Sequence, residues 1–457
     1  MIARRRLLNL LHLNKVSQYQ INKYNLSTSC LEIKVSKSPV LIDEEVNIRV
    51  NGLKQGQKIT IQTYMKEGDK TFGSCAHFTA DCQGNVDTCR DHSQGGTFTG
   101  LEPMGLFWSA RTTPGVKPGR LLKTDVMSPY DVTIAVQDDF KEFDSLPWSE
   151  NFPCLTSCQL QRSYVLPGVQ RFSINENGLQ GTFYTPLGNG PFPGVIDLFG
   201  LGGGIVEFRS ALLASHGFAS FVLGYVGLPG LSRNELDLNL HYFLRAFDWM
   251  ASHPSVDPNK LGGIATCVGG GYLQFIASRR PSMKCLVTVN GTGMPIASKQ
   301  LVEGKEAEVL SFKFDRVKYI DDLVIFRDMI QPGDRPIPSS CPGWQHGAKI
   351  FAIHGLDDQC VNPIALDAFK KNLPEEFKNN LTWISYPGTG HLLEPPYAPR
   401  CGTSFNKILK MNMLWGGNDK QHAHAQEDSW PRILDFLEQN LHQTNTSQVN
   451  QQYNQGV

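Results

Sequence analysis

The chain has 457 residues, which exceeds the size of one ordinary hydrophobic core and predicts two domains with additional terminal segments. It carries 43 basic and 43 acidic residues, and this balance argues against a nucleic-acid-binding protein that depends on bulk positive charge. Its 11 cysteines lack paired CxxC spacing and no apolar run approaches the roughly 20 residues of a membrane span, so we expect mostly reduced thiols and no transmembrane segment.

Residues 1–31 differ in composition from the rest of the chain. They contain five basic residues and several leucines, and the first acidic residue is Glu32. This composition is typical of a mitochondrial presequence and predicts a matrix protein, with the cytosol as the fallback location. A disordered tail with chance charge is the alternative. Residues 443–457 are rich in Asn and Gln, and we expect a disordered tail there.

The segment 32–166 has strand-like rather than helical periodicity. Val46, Ile48 and Val50 alternate with polar residues, and turn signals such as Asn51-Gly52 separate the apolar runs. This pattern predicts an all-β, immunoglobulin-like antiparallel sandwich. Cys154 lies four residues from Cys158 without a second Cys or His pair nearby, so we predict no zinc site there.

The segment 167–442 alternates apolar strands with amphipathic helices, which predicts a mostly parallel sheet with helices on both faces. The predicted strands are Val195–Phe199, Ala219–Val226, Gly263–Ala265, Cys285–Val289, Ile350–Ile353 and Thr382–Ser385. The predicted helices are Glu207–His216 and Asn234–His253.

The segment 261–271, LGGIATCVGGG, predicts the nucleophile of an enzyme. A short strand runs into a tight turn at Cys267, and three glycines and a helix-like run, Tyr272–Arg279, follow. This is the layout of a nucleophile elbow, with Ala265 in place of the usual first Gly and Cys267 in place of Ser. The alternative is a buried structural cysteine on a core strand.

An acid and a histidine follow the predicted nucleophile. Asp358, with its neighbour Asp357 as the fallback, lies in the loop after one predicted strand, and His391 lies in a Gly-rich loop after the last strand. Loops at the carboxyl ends of parallel strands are where such sheets place functional residues. The order Cys267, Asp358, His391 predicts an α/β-hydrolase with a cysteine nucleophile.

A Gly-rich loop, 199–204, follows the first predicted strand of this domain. Backbone N–H groups of Gly200, Leu201 and Gly202, together with that of Val268, are predicted to form an oxyanion hole. A dinucleotide-binding turn is the alternative, but the loop lacks the G-x-G-x-x-G spacing. His422 and His424 are two residues apart, which disfavours a metal pair, and no carboxylate partner is evident for His216 or His253.

Three further segments resemble one enzyme family. GLEPMGLFW (100–108), PFPGVIDLFGLGGG (191–204) and YPGTGHLLEPPYAP (386–399), together with the elbow, resemble the type I acyl-CoA thioesterases and their sister enzyme, bile acid-CoA:amino acid N-acyltransferase. The resemblance implies a β-sandwich followed by an α/β-hydrolase domain, with catalytic roles for Cys267, Asp358 and His391. It also implies an acyl-CoA substrate. The Ala265 and Cys267 positions are more similar to the acyltransferase.

The predicted reaction is acyl transfer from acyl-CoA to Cys267, followed by release to a second nucleophile. A thioester intermediate favours an amine acceptor, whereas a mitochondrial presequence favours hydrolysis. We predict a thioesterase for medium- or long-chain fatty acyl-CoA, with N-acyltransferase as the alternative and an inactive acyl-CoA-binding protein as a weaker one. We expect no cofactor or metal, because CoA is part of the substrate, and no nucleic-acid partner. Arg209 is a candidate for binding CoA phosphates, and the sequence leaves the oligomeric state open.

Overall fold

The computed structural model describes residues 30–149, 151–200, 204–310, 313–331, 343–363, 370 and 374–442. The predicted presequence, apart from its last two residues, and the predicted tail at 443–457 lie outside these ranges. The mitochondrial location therefore stays a prediction. No helix within the described ranges combines the length and the apolar composition that crossing a membrane requires.

The amino-terminal domain is built from two packed sheets. Its strands are β1 Glu32–Val35, β2 Val40–Leu41, β3 Ile48–Asn51, β4 Lys58–Glu67, β5 Lys70–Thr79, β6 Val86–Asp87, β7 Arg111–Thr112, β8 Tyr130–Asp138 and β9 Thr156–Ser163. One sheet has the order β1-β3-β6 and the other β2-β9-β8-β4-β5-β7, with antiparallel pairing except between β2 and β9. The all-β sandwich predicted from the period-two pattern is confirmed.

The segment 100–110, to which sequence analysis assigned no structural role, packs into the interior of this sandwich. It forms a short buried helix, α1 Gly105–Trp108. The carbonyl oxygen of Leu106 accepts a hydrogen bond from the Ser74 hydroxyl at 2.5 Å, and Met104 contacts the amide of Val46 through its sulfur. Aromatic residues are frequent in this segment because it packs into a core and leaves little surface to water.

The carboxy-terminal domain contains an eight-stranded sheet. Its strands and helices, in chain order, are β10 Gln170–Glu176, β11 Leu179–Thr185, β12 Phe192–Leu198, α2 Phe208–Ser215, β13 Ala219–Gly224, α3 Leu240–Ser252, β14 Val256–Thr266, α4 Gly269–Arg279, β15 Met283–Val289, β16 Leu301–Val302, β17 Lys305–Glu306, β18 Lys318–Ile320, β19 Leu323–Ile325, β20 Lys349–Gly355, β21 Leu381–Tyr386, β22 Thr403–Asn406, β23 Met411–Leu414 and α5 Asp419–Leu441. The sheet order is β10-β11-β13-β12-β14-β15-β20-β21. The six strands β13, β12, β14, β15, β20 and β21 pair in parallel. The hairpin β10–β11, which the sequence did not predict, adds antiparallel strands at one edge.

Both faces of this sheet are covered, as the apolar strands predict. Alternate residues along each strand enter two separate buried clusters. One cluster contains α2 and α5 and takes Val195, Ile264, Val287 and Phe351 from the sheet. The other contains α3 and α4 and takes Ile196, Ala265, Leu286 and Ile350. The predicted α/β-hydrolase architecture is confirmed, and it brings the carboxyl ends of β12, β14 and β20 to the same edge of the sheet.

A small second sheet and the sandwich lie over this edge. The small sheet has the order β18-β19-β23-β22, and its residues Val324 and Met413 pack with Leu392 and Trp415. The sandwich shares a continuous apolar cluster with α2 and α5. At that interface, Asp43 accepts hydrogen bonds from Trp430 at 2.8 Å and pairs with His216 at 2.6 Å, so His216 has a carboxylate partner that the sequence did not reveal.

Candidate active site

Cys267 lies in the sharp turn between β14 and α4. Its φ angle is +59°, in the left-handed region that a non-glycine residue rarely adopts. The turn is held because the Cys267 amide donates to the Val289 carbonyl at 3.1 Å and the Thr292 amide donates to the Cys267 carbonyl at 3.1 Å. The strand, turn and helix occur in the predicted order, and the side chain is 9% exposed at the floor of a cavity.

The glycines after Cys267 are required by close packing of α4 against its neighbours. A Cβ atom on Gly269 would lie 2.5 Å from the carbonyl oxygen of Leu198, and one on Gly271 would lie 1.8 Å from that of Met294. Both distances are too short for non-bonded atoms, so only glycine fits. The helix therefore begins at Gly269, three residues before the helix-like run that the sequence indicated.

His391 lies opposite Cys267 and is oriented by Asp358. The His391 Nδ1 atom is 2.8 Å from Asp358 Oδ2, and each of these residues is 1% exposed. The other ring nitrogen is left for Cys267, to which His391 also hydrogen-bonds. Asp357, the fallback, faces a different group: its Oδ2 accepts from the Gly417 amide at 2.8 Å. The geometry therefore distinguishes two adjacent carboxylates that spacing alone did not.

The same carboxylate also fixes the loop after β20. Asp358 Oδ1 accepts hydrogen bonds from the backbone amides of Cys360 at 2.6 Å and Val361 at 2.9 Å. One buried side chain thus holds His391 with one oxygen and its own loop with the other. A buried carboxylate with this many donors is satisfied as an anion, which suits a group that stabilises an imidazolium.

Asn290, which the sequence did not single out, joins the two loops. It follows β15, is 1% exposed and has a φ angle of +50°. Its side-chain NH₂ donates to the carbonyl oxygens of Gly390 and His391 at 3.1 and 2.7 Å, and its Oδ1 accepts from the Gly355 amide at 2.7 Å. The signal available in the sequence was a polar residue directly after a buried apolar strand, next to Gly291.

The ring of His422, on α5, hydrogen-bonds to the backbone of the residues on either side of His391. Its Nδ1 accepts from the Gly390 amide at 3.2 Å, and its Nε2 lies 3.1 Å from the Leu392 carbonyl oxygen. Burial lowers the pKa of His422 to about 4, so the ring is neutral and each nitrogen has a defined role. On the other side, the ring of His391 stacks on Trp415 with centroids 5.5 Å apart.

Cys267 and His391 each shift the pKa of the other toward the charged form. A hydrogen bond from Cys360 and, against the effect of burial, the attraction of His391 hold the pKa of Cys267 well below its usual value. Burial by itself would lower the pKa of His391, but Asp358 and Cys267 raise it to about 10. Both shifts favour the charged forms, a Cys267 thiolate and a His391 imidazolium, and the thiolate is the form in which a cysteine is nucleophilic.

Cys360 is a third reactive group that sequence analysis gave no role. Its sulfur, the Cys267 sulfur and a ring nitrogen of His391 all lie within 4.8 Å of one another. The hydrogen bond to Cys267 and burial raise the pKa of Cys360 well above its usual value, so it stays a thiol and donates to the thiolate. Its position two residues after the predicted acid, in the same loop, was the available signal.

The structure describes only two of the four residues predicted to form the oxyanion hole, Val268 and Gly200. The Val268 amide directly follows Cys267 at the start of α4 and helps to lower the pKa of the Cys267 thiol. A Cβ atom on Gly200 would lie 2.9 Å from the Cys267 Cβ atom, so the Gly-rich loop begins beside the predicted nucleophile. Leu201 and Gly202 lie outside the described residues, and their contribution stays a prediction.

A cavity of about 450 Å³ leads from the surface to Cys267 and His391. Its walls are mainly apolar and come from the hydrolase core, the small sheet and the sandwich, including Val206, Phe326, Met329, Leu392, Met413 and Trp415. The basic residues Lys70, Arg120 and Lys407 also line it. This volume is within the range of about 300–1,000 Å³ that ligand pockets occupy.

Arg209, the candidate for CoA phosphates, is buried instead. It is 4% exposed, is paired with Asp197, and donates to the Thr266 hydroxyl at 2.7 Å directly beneath the elbow. That candidate assignment is wrong, because a guanidinium held by a buried carboxylate cannot also meet a phosphate at the surface. His253 and His424 are also away from the site: His253 packs on Phe183, and His424 pairs with Glu102.

Comparisons with known proteins agree with this architecture. Residues 238–443 match the family described as "BAAT / Acyl-CoA thioester hydrolase C terminal", and residues 43–176 match "Acyl-CoA thioester hydrolase/BAAT N-terminal region". Bile acid-CoA:amino acid N-acyltransferase of Mus musculus is 36% identical over 88% of this chain and 96% of its own length. Peroxisomal succinyl-coenzyme A thioesterase of Mus musculus is 32% identical over 88% of this chain and 95% of its own length.

The chain also resembles solved structures at low sequence identity. A dienelactone hydrolase-like promiscuous phosphotriesterase from metagenomic libraries is 16% identical, with a TM-score of 0.39. The match covers 60% of this chain and 98% of that structure.

Proposed function

The chain belongs to the acyl-CoA thioester hydrolase and bile acid-CoA:amino acid N-acyltransferase family, and on this premise we propose that it cleaves acyl-CoA by transferring the acyl group to Cys267. One observation carries the proposal: the Cys267, His391 and Asp358 side chains meet at the floor of an apolar cavity. A nucleophile, a proton carrier and an orienting carboxylate are the groups that acyl transfer requires.

In the first half-reaction the Cys267 thiolate attacks the thioester carbonyl carbon. The resulting oxyanion is stabilised by the Val268 amide and by N–H groups of the Gly-rich loop. When the tetrahedral intermediate collapses, the bond to the CoA sulfur breaks, and His391 donates its Nε2 proton to that sulfur. One thioester replaces another, so the step is nearly balanced in energy and ends with free CoA, acyl-Cys267 and a neutral His391.

In the second half-reaction an acceptor attacks the acyl-Cys267 carbonyl. Neutral His391 takes a proton from the acceptor, while Asp358 stabilises the imidazolium that forms. The bond to the Cys267 sulfur then breaks, and the thiolate leaves. This restores the thiolate–imidazolium pair from which the cycle began.

An amine is the acceptor that this chemistry favours. A thioester is attacked by amines more readily, relative to water, than an oxyester is, and Cys267 makes the intermediate a thioester. A relative at 36% identity carries a name that includes amino acid N-acyltransferase, so we propose the amino group of an amino acid as the acceptor. The fatty acyl or other apolar group would occupy the cavity, with CoA near Lys70 and Lys407 at its walls.

Hydrolysis, which the sequence predicted, is the second candidate. It is favoured by the thioesterase relative, which is 32% identical over nearly the same span of the chain. Water requires no binding site of its own, and the same residues would serve both reactions. The two candidates therefore differ only in what captures acyl-Cys267.

A single assay distinguishes these outcomes. Purified protein is incubated with medium-chain, long-chain and bile acyl-CoA, with and without glycine or taurine, and CoA, free acid and amide are measured. Amide formation that requires the amine supports the transferase, and free acid at the same rate without amine supports the hydrolase. Failure of Cys267→Ala to abolish CoA release, or no release with any substrate, would overturn the proposed acyl-enzyme.

A further inference from the structure

The active-site cavity contains a donor atom that takes no step in the proposed acyl transfer. Besides Cys267 and His391 it includes Cys360, and the three donor atoms lie within 4.8 Å of one another. All three residues line the same cavity. Two sulfurs and one imidazole nitrogen form a Cys₂His donor set, which proteins use for tetrahedral zinc.

We propose that Cys267, Cys360 and His391 form a binding site for Zn²⁺, whose fourth position opens into the cavity, and that bound zinc reversibly blocks the active site. The proposal concerns a regulatory metal that competes with substrate, and the acyl-transfer reaction itself has no step through it.

The three donors are held in place by the surrounding fold. Cys267 is fixed by the strained turn between β14 and α4, where its φ angle is +59°. Asp358 fixes the other two, because Oδ2 binds His391 Nδ1 at 2.8 Å and Oδ1 binds the Cys360 amide at 2.6 Å. A carboxylate on the far nitrogen of a ligating histidine orients the ring and strengthens it as a ligand.

The spacing of the donors is close to what zinc requires. Zinc binds sulfur at about 2.3 Å and nitrogen at about 2.0 Å, so neighbouring donors in a tetrahedral site lie roughly 3.5–3.8 Å apart. Donors that already lie within 4.8 Å need to approach by at most about 1.3 Å, which small side-chain rotations of the cysteines supply. Cys360 would lose its proton on binding, so the affinity should increase with pH.

Zinc at this position would occupy both atoms on which the proposed reaction depends. The Cys267 sulfur would be a ligand instead of a nucleophile, and the His391 nitrogen that carries the proton would also be bound. Inhibition therefore rests on the proposed function, whereas metal binding does not, and the two can be measured separately.

Cobalt provides a readout that is independent of activity. The full chain, kept anaerobic with a phosphine reductant, is titrated with Co²⁺. We expect one equivalent to produce thiolate-to-cobalt charge transfer and the visible absorption of tetrahedral cobalt, and Zn²⁺ to displace it. Cys360→Ala should lose about half of the charge-transfer intensity and bind zinc on the order of 100-fold more weakly. Cys360→Ser provides a second variant if Cys360→Ala fails to fold.

Cys158→Ala is the matched control, because Cys158 is also a half-buried free thiol but lies on β9 in the sandwich. Its cobalt spectrum and zinc affinity should equal those of the wild type. Inhibition is then measured in zinc buffers, relative to each protein's own zinc-free rate, and should reverse with a chelator. A spectrum that Cys360→Ala leaves unchanged, or binding lost equally in Cys158→Ala, would overturn the site. A cobalt spectrum in a protein that releases no CoA would instead leave the metal site standing and reject the proposed reaction.

Discussion

The side-chain amide of Asn290 donates a hydrogen bond to the carbonyl oxygen of His391 at 2.7 Å. Through its Oδ1 atom the same side chain accepts from Gly355, just before the loop of Asp358. The relative position of the histidine and the acid therefore depends on a third residue, which is not among those that line the cavity. Asn290 also tolerates its φ angle of +50°, which Asn and Asp adopt more readily than most residues.

Asn290→Asp should lower kcat by roughly 10–100-fold with a small change in KM, because displacing a catalytic group by about 1 Å costs this much. The new carboxylate has no hydrogen to donate to the two carbonyl oxygens, so the free energy of unfolding should also fall by about 1–3 kcal/mol. Steady-state kinetics and chemical denaturation measure both. Asn177→Asp is the control, since Asn177 also has a φ angle of 50° but is exposed in a turn. Equal losses in both variants would show that Asn290 does not position His391.

Asp358→Asn and Asp357→Asn form a second matched pair. In Asp358→Asn an NH₂ group can face His391 Nδ1, which favours the wrong imidazole tautomer and removes the charge that stabilises imidazolium. We expect a loss of CoA release on the order of 10³–10⁴-fold, as in other triads. Asp357→Asn keeps an oxygen that can accept from Gly417 and should remain within about 2-fold of wild type. The assignment of the acid is wrong if the two losses are reversed or equal.

The lowered pKa of Cys267 predicts selective alkylation at acidic pH. Because its pKa is well below the usual value, Cys267 should carry more thiolate at pH 6 than an ordinary cysteine, whereas burial raises the pKa of Cys158 to about 11 and keeps it protonated. Iodoacetamide should therefore modify Cys267 on the order of 100-fold faster than Cys158, as measured by peptide mass spectrometry. His391→Gln removes the neighbouring cation and should slow this modification at pH 6. A rate for Cys267 that rises tenfold per pH unit up to pH 9 would contradict the ion pair.

Replacing the nucleophile should change the acceptor. Cys267→Ser forms an oxyester intermediate, which loses much of the preference for amines over water. We expect slower CoA release and a larger fraction of free acid relative to amide at a fixed glycine or taurine concentration. The ratio of the two products is measured by mass spectrometry. Cys401→Ser is the control, because Cys401 is also a buried thiol but belongs to the apolar cluster beneath the small sheet. An unchanged ratio would mean that acceptor binding, and not the thioester, decides the product.

Sequence periodicity predicted the elements that carry the site because burial on two faces leaves a strong pattern. The strands that contain Ile264 and Ile350 have buried apolar segments, and Cys267 and Asp358 follow them, whereas His391 follows the partly exposed strand β21. The hairpin β10–β11 was missed because β10 is almost fully exposed and therefore lacks an apolar run. The small sheet was missed because its strands come from two distant segments of the chain.

Contacts between loops could not be predicted in the same way. Cys360, Asn290 and His422 act on His391 or Cys267 from loops and a helix that are far apart in sequence, and no spacing rule relates them. Arg209 shows the opposite error, because an arginine near a Gly-rich loop is a plausible phosphate ligand until burial is known. The sequence favoured Asp358 and left Asp357 as the fallback, and only their different hydrogen-bond partners distinguish the two carboxylates.

The neutral ring of His422 predicts a specific loss of stability in mild acid. Burial lowers its pKa from 6.5 to about 4 in the folded protein, so the unfolded chain takes up a proton first as pH falls. Its contribution is therefore fully present above pH 6.5 and declines by roughly 3 kcal/mol between pH 6.5 and pH 4. His422→Gln, which can accept from Gly390 and donate to Leu392 without titrating, should flatten this part of the stability profile. His424→Gln is the control, because His424 lies two residues along α5 and is half exposed. Denaturation at pH 5 and pH 7 compares the three proteins, and a profile that His422→Gln leaves as steep as wild type would assign the acid sensitivity to other groups.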